Sequence, residues 1–73
     1  MEYTEDIRFI LGRPNFWCGA KAIILRQRGH EIPRKAEDEQ AYVIYWMLNM
    51  YKLHGGRWKK ACEDYLNGVQ ETK

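Results

Sequence analysis

Apolar residues recur at helical spacing along most of the chain, and a glycine follows each run. In the first run Thr4 is placed to cap a helix, and Glu5 and Asp6 in the first turn suit the positive end of the helix dipole. Ile7, Ile10 and Leu11 then share one face. Gly12 followed by Pro14 is a stop signal, because glycine tolerates the left-handed cap conformation and proline cannot continue the ladder. Asn15 restarts the chain as an expected N-cap. A second helix, about Phe16 to Arg28, places Phe16, Trp17, Ala20, Ile23 and Ile24 on one broad side, with Cys18 roughly opposite, near Ala22 and Leu25. Gly29 ends it.

After the connector GHEIP, a third helix is predicted from about Arg34 to His54, ending at Gly55. It starts on the acidic, soluble stretch AEDEQ. Its second half is apolar almost all the way round, interrupted only by Asn49, which is the pattern of a helix packed on more than one side. A short fourth helix, about Arg57 to Asn67, lines up Trp58, Ala61, Cys62 and Tyr65, leaves Lys59, Lys60, Glu63 and Asp64 in water, and is closed by Gly68. No stretch keeps the period-two alternation of a half-buried strand. The expected fold is therefore all-α: a small bundle of three to four helices around a central apolar third helix, forming a single domain over residues 1–73.

Size and composition narrow the function. Seventy-three residues lie near the lower limit at which one hydrophobic core carries a fold unaided, and 45% hydrophobic with 30% charged is an ordinary globular balance. The acidic start MEYTEDIRF lacks a basic region followed by an apolar one, so no signal peptide is expected. The longest apolar stretch, Ala41 to Tyr51, is about half of the roughly 20 residues that span a bilayer. A cytoplasmic protein with no membrane partner is expected, its two cysteines reduced. The net charge of +2 is uneven: residues 1–6 sum to −3, 7–35 to +6, 36–50 to −3 and 51–73 to +2.

Candidate chemistry is sparse. WCGAK, Trp17 to Lys21, keeps the first half of the WCGPC found at a helix start in thioredoxin-like proteins, where the dipole lowers one thiol's pKa and a second thiol resolves the mixed disulfide. The segment around it also has a superficial likeness to the first strand and helix of a glutaredoxin. The resolving cysteine is missing and the rest of the chain reads as helical, so Cys18 is read as a small buried side chain. Cys18, His30, His54 and Cys62 are the four soft ligands present, but they are too far apart in sequence to preorganise the corners of a zinc tetrahedron. Each histidine sits within a residue of a helix-ending glycine, where an imidazole favourably meets the negative end of the dipole. No catalytic triad, phosphate-cradling glycine loop or paired carboxylates stand out. A non-enzymatic protein without a cofactor is expected.

Two binding readings follow. Ten aromatic residues in so short a chain exceed what a small core shelters, and Tyr and Trp are enriched at protein interfaces. Tyr42, Tyr45, Trp46 and Met50 on the third helix are the candidate partner-binding residues. The partner would be another protein or a second copy of the chain. The alternative is nucleic acid bound by the basic segment 8–35, with Arg13, Lys21, Arg26, Arg28, Arg34 and Lys35 on phosphates. ILRQRGHEIPRK even resembles a helix-turn-helix corner. Glu37, Asp38 and Glu39, however, occupy the first turns of what would be the recognition helix, where they would repel phosphate.

The pattern ILGRPNF, then LRQRGHEIPRKAEDEQAYVIYWMLNMY, then HGGRWKKACEDYL is similar to small proteins encoded by bacteriophages and prophages. No motif in it is tied to chemistry, so no residue role is carried over. The resemblance implies a class: short phage accessory proteins that bind a host protein in the host cytoplasm and inhibit or redirect it.

Overall fold

The computed structural model describes residues 2–68, and the ends of the expected 1–73 domain lie outside the described residues. Four helices follow in order: α1 (Glu5–Leu11), α2 (Asn15–Gln27), α3 (Ala36–His54) and α4 (Trp58–Leu66), the last entered through a short 3-10 turn at Gly55–Arg57. There is no strand among the described residues, and the fold is a small all-α bundle. The long helix α3 packs on α1, α2 and α4, so the element with the most apolar circumference is the central one.

Local chemistry accounts for most boundaries. Thr4 has extended backbone and its Oγ1 accepts a hydrogen bond from the Ile7 amide at 3.2 Å, the cap expected from sequence. Ile7 and Ile10 are buried, whereas Leu11, expected beside them, is exposed. Gly12 ends α1 at a φ of −90°, so its value is not left-handed freedom; a Cβ there would stand 3.2 Å from the Arg8 carbonyl. Asn15 is not the N-cap of α2. Pro14 takes that position, and Asn15 donates across to the Ala36 carbonyl at 3.0 Å while Gln40 donates back to the Arg13 carbonyl at 3.1 Å. These bonds pin the α1–α2 corner to the start of α3.

The end of α2 is a Schellman cap: the His30 amide bonds the Leu25 carbonyl and the Gly29 amide the Arg26 carbonyl, both at 3.0 Å. Gly29 supplies the positive φ of 97° that this cap needs. The connector is then clasped by Arg26, whose guanidinium donates to the Ile32 and Pro33 carbonyls and to Glu39 Oε2 at 2.7 Å.

The core gathers Ile10, Cys18, Ala22, Leu25, Ile32, Val43, Trp46, Met47, Trp58 and Cys62. The covered face of α2 is therefore the Cys18, Ala22 and Leu25 side, and the bulkier Phe16, Ala20 and Ile23 side is exposed. The molecule explains why α2 cannot have both. Its Cα atoms span 32 × 32 × 16 Å, and 16 Å is about the depth of two helix layers packed roughly 8–10 Å apart, so every helix keeps a face in water.

Candidate functional site

A groove of about 310 Å³ opens between α1, α2 and α4, over the middle of α3. Its floor is apolar, made by Trp46 and Met47 of α3 and Cys62 and Leu66 of α4. Phe9 of α1 and Trp17 of α2 form its walls, and Trp58 closes one end with its ring 6.0 Å from that of Phe9. Helix spacing builds these walls. Trp17 lies on the flank of α2 between the buried and the exposed rows, where a large ring is half-covered.

Three cations stand over those rings. The Arg13 guanidinium lies 3.7 Å from the Phe9 centroid and 5.8 Å from that of Trp17, held by its Nε–H donating to the Phe9 carbonyl at 2.9 Å. Lys21 Nζ is 5.1 Å over Trp17, and Lys59 Nζ is 4.7 Å over Phe9 and 5.8 Å over Trp58. Attraction of a cation to a ring face, about 0.5–1 kcal/mol at an exposed site, holds each in place without neutralising it. Among the described residues the two ion pairs are Arg26–Glu39 and Lys60–Asp64, so none of these three cations meets a carboxylate. One acid, Glu63, lines the groove. A shallower cleft of about 700 Å³ continues from Phe9, Arg13 and Lys59 past Glu5 and Asp6.

The four residues expected to face a partner on α3 are dispersed. Trp46 is a core residue, 7% exposed and packed 5.6 Å from the Tyr65 ring, which corrects its placement on an outer face. Tyr42 is half-buried and hydrogen-bonded, Met50 is half-buried against the core, and Tyr45 is the one that stands well out into solvent. The six basic candidates are divided too. Arg13 and Lys21 border the aromatic groove, whereas Arg26 and Arg34 lie on the other flank of α2 beside Ile23 and Gln27. Arg26 is engaged with Glu39 and two carbonyls, Arg28 lies 4.5 Å over the Tyr65 ring, and Arg34 and Lys35 are exposed.

His30 has a role that the dipole reading missed. Its Nδ1 and Nε2 each lie 2.8 Å from a hydroxyl, Tyr42 of α3 and Tyr65 of α4, with both rings edge-on to the imidazole. In the neutral ring one nitrogen donates and the other accepts, so the two tyrosines are joined through one side chain. With both nitrogens engaged, His30 is not poised as a ligand. Among the described residues no three His, Cys, Asp or Glu side chains come together at metal-binding distance.

Both thiols are buried and free. Burial pushes the Cys18 thiol up, against a smaller downward pull from Arg13, and burial aided by Glu63 pushes Cys62 up to about 11. Nucleophilic cysteines need the opposite shift and an exposed sulfur. Cys18 instead packs against α3 and points its sulfur at the Arg13 carbonyl, 3.9 Å away.

Phe9, Trp17, Trp58 and Lys59 were not candidates from sequence. A signal was nevertheless present, since Trp17/Lys21 is an aromatic–cation pair at the i, i+4 spacing that brings side chains together on a helix, with Phe9 and Arg13 just before it. No helix of the described residues is long and apolar enough to cross a membrane. No family model matches the chain, and neither does any curated protein or solved structure.

Proposed function

We propose that this chain is a non-catalytic protein-interaction module, acting in the host cytoplasm as a phage-type accessory protein that binds and modulates a host protein. The observation that carries this reading is α2, which is apolar on two faces and covered on one. Phe16 is 81% and Ile23 54% exposed, and with Ala20 they form one stripe along the helix, adjoining the wall made by Trp17 and Lys21. Fully burying a side chain of this size contributes about 1.5–3 kcal/mol, so two such anchors suffice to centre an interface. The raised thiol pKa values and the dispersed histidines add no support for catalysis. Nucleic-acid binding along residues 8–35 has less behind it, because Arg26 is engaged with Glu39 and two carbonyls and the remaining cations lie on different flanks of α2.

The test is the double variant Phe16→Ser/Ile23→Ser. Circular dichroism and melting temperature should match the wild type, while sedimentation and capture from host lysate should lose whatever association the wild type shows. A second copy as the partner would appear as a concentration-dependent dimer that the variant abolishes. A wild type that is monomeric and captures nothing specific, or a variant that associates unchanged, overturns the reading.

A further inference from the structure

The cations of the groove differ from ordinary surface charges in where they are held. Arg13, Lys21 and Lys59 converge on Phe9, Trp17 and Trp58, have no carboxylate partner among the described residues, and border an apolar floor. Two cations, Lys21 and Lys59, and one acid, Glu63, line about 310 Å³ of space, and Arg13 stands at its edge over the Phe9 ring. We infer that this groove receives a short acidic segment of a partner protein, with an apolar side chain seated on the floor of Met47, Cys62 and Leu66 and the flanking carboxylates meeting Arg13, Lys21 and Lys59. The inference rests on the interaction reading above and names the partner's chemistry.

Charge complementarity selects this occupant over others. A second copy of the chain would bring Glu2, Glu5 and Asp6 beside the exposed Tyr3, but Glu5 and Asp6 also line the cleft that continues from this groove. A copy docking through that segment would set its acids against the same acids of the other copy, and in its other acidic run Glu39 is already paired with Arg26. Single-stranded nucleic acid binds proteins of this size by stacking bases on open ring faces. Here those faces are taken: Phe9 carries Arg13 and Lys59, Trp17 carries Lys21 and Arg13, and Trp58 is 2% exposed. Glu63 at the groove, and Glu5 and Asp6 in the adjoining cleft, would also repel a continuous run of phosphates. A peptide places its carboxylates at intervals and an anchor between them, which fits a ring of separate cations around an apolar floor.

The experiment titrates the full chain with a fluorescein-labelled peptide in which Asp and Glu alternate with Leu and Phe. Three comparison probes are used: the peptide with Ser at every apolar position, the peptide with Lys at every acidic one, and an oligothymidylate of equal charge. The acidic apolar peptide should bind best, the Ser and Lys versions at least tenfold more weakly. Lys21→Glu/Lys59→Glu should weaken it a further tenfold or more with the helical spectrum unchanged, and Lys21→Arg/Lys59→Arg should restore it. Equal binding of the Ser peptide, preferred binding of the oligothymidylate, indifference to charge reversal, or no binding at all each overturns the inference. If the acidic peptide fails while Phe16→Ser/Ile23→Ser still abolishes association, the groove assignment falls alone and the interaction reading stands.

Discussion

Which side of α2 faces the core is open to a direct comparison between two substitutions two residues apart. Leu25 is fully buried among Cys18, Ala22, Val43 and Trp46, whereas Ile23 is 54% exposed on the opposite side of the same helix. Leu25→Ala removes buried carbons and leaves a cavity that a bundle this thin closes only in part, costing about 3 kcal/mol. A domain of this length has roughly 4–11 kcal/mol in total, so the loss is a large fraction of it. The melting temperature should fall by about 12–24 °C, at about 4–8 °C per kcal/mol for a domain of this size. Ile23→Ala gives up at most about 1 kcal/mol of partial burial, offset by a few tenths from alanine's better helix propensity. Its melting temperature should shift by no more than about 5 °C. Urea titration followed by far-UV circular dichroism supplies the free energies. If Ile23→Ala costs as much as Leu25→Ala, the assigned face of α2 is wrong, and with it the exposed stripe that supports the interaction reading.

Three further outcomes are expected. His30→Ala should cost about 2–3 kcal/mol in thermal melts, because it strands two half-buried hydroxyls, while Tyr42→Phe and Tyr65→Phe should cost about 1 kcal/mol each; a His30→Ala variant as stable as the wild type refutes the bridge. The thiols should be alkylated slowly in the folded protein at neutral pH and quickly in urea. Because the folded state holds the Cys62 proton more tightly, its contribution to stability is complete below the ordinary thiol value of 9.0 and is lost as pH rises through about 11. Urea midpoints across that range should therefore fall more steeply in the wild type than in Cys62→Ala, and equal slopes would count against the shift.

The elements were legible because they are encoded locally. Thr4, the Gly12–Pro14 stop, Gly29 and Gly55 act within a turn of their own position, and helix ends followed from them to within two residues. Facing was not local. On hydrophobicity alone, Phe16, Trp17, Ile23 and Ile24 outweigh Cys18, Ala22 and Leu25, and periodicity does not say which side is covered. What decides burial is how closely two helices approach. Cys18 and Ala22 are small enough to let α2 settle against Val43, Trp46 and Met47, and the bulk is left outside. The all-round apolar pattern of α3 likewise predicted its central place but not which residues would stay exposed. Trp46 went into the core and Tyr45 into solvent, because α4 arrives on one side only.

The candidate groove was hidden for a related reason. Its walls come from three helices, and the pairs Phe9/Arg13 and Trp17/Lys21, though close in sequence, do not show that α4 joins them. Lys59 reaches Phe9 across 50 positions of chain, a contact that only the packing of α4 beside α1 creates. The summed charge of residues 7–35 pointed toward one basic surface, yet the fold separates those cations according to what lies next to them. Beside carboxylates and open carbonyls, Arg26 becomes a clasp for the connector. Beside aromatic rings, Arg13, Lys21 and Lys59 keep their charge available. A ring orders a cation without cancelling it, as an acid would, so the arrangement is stable as it stands and still attractive to an anion. In a bundle 16 Å thick, that keeps three cations together at the surface without burying an ion.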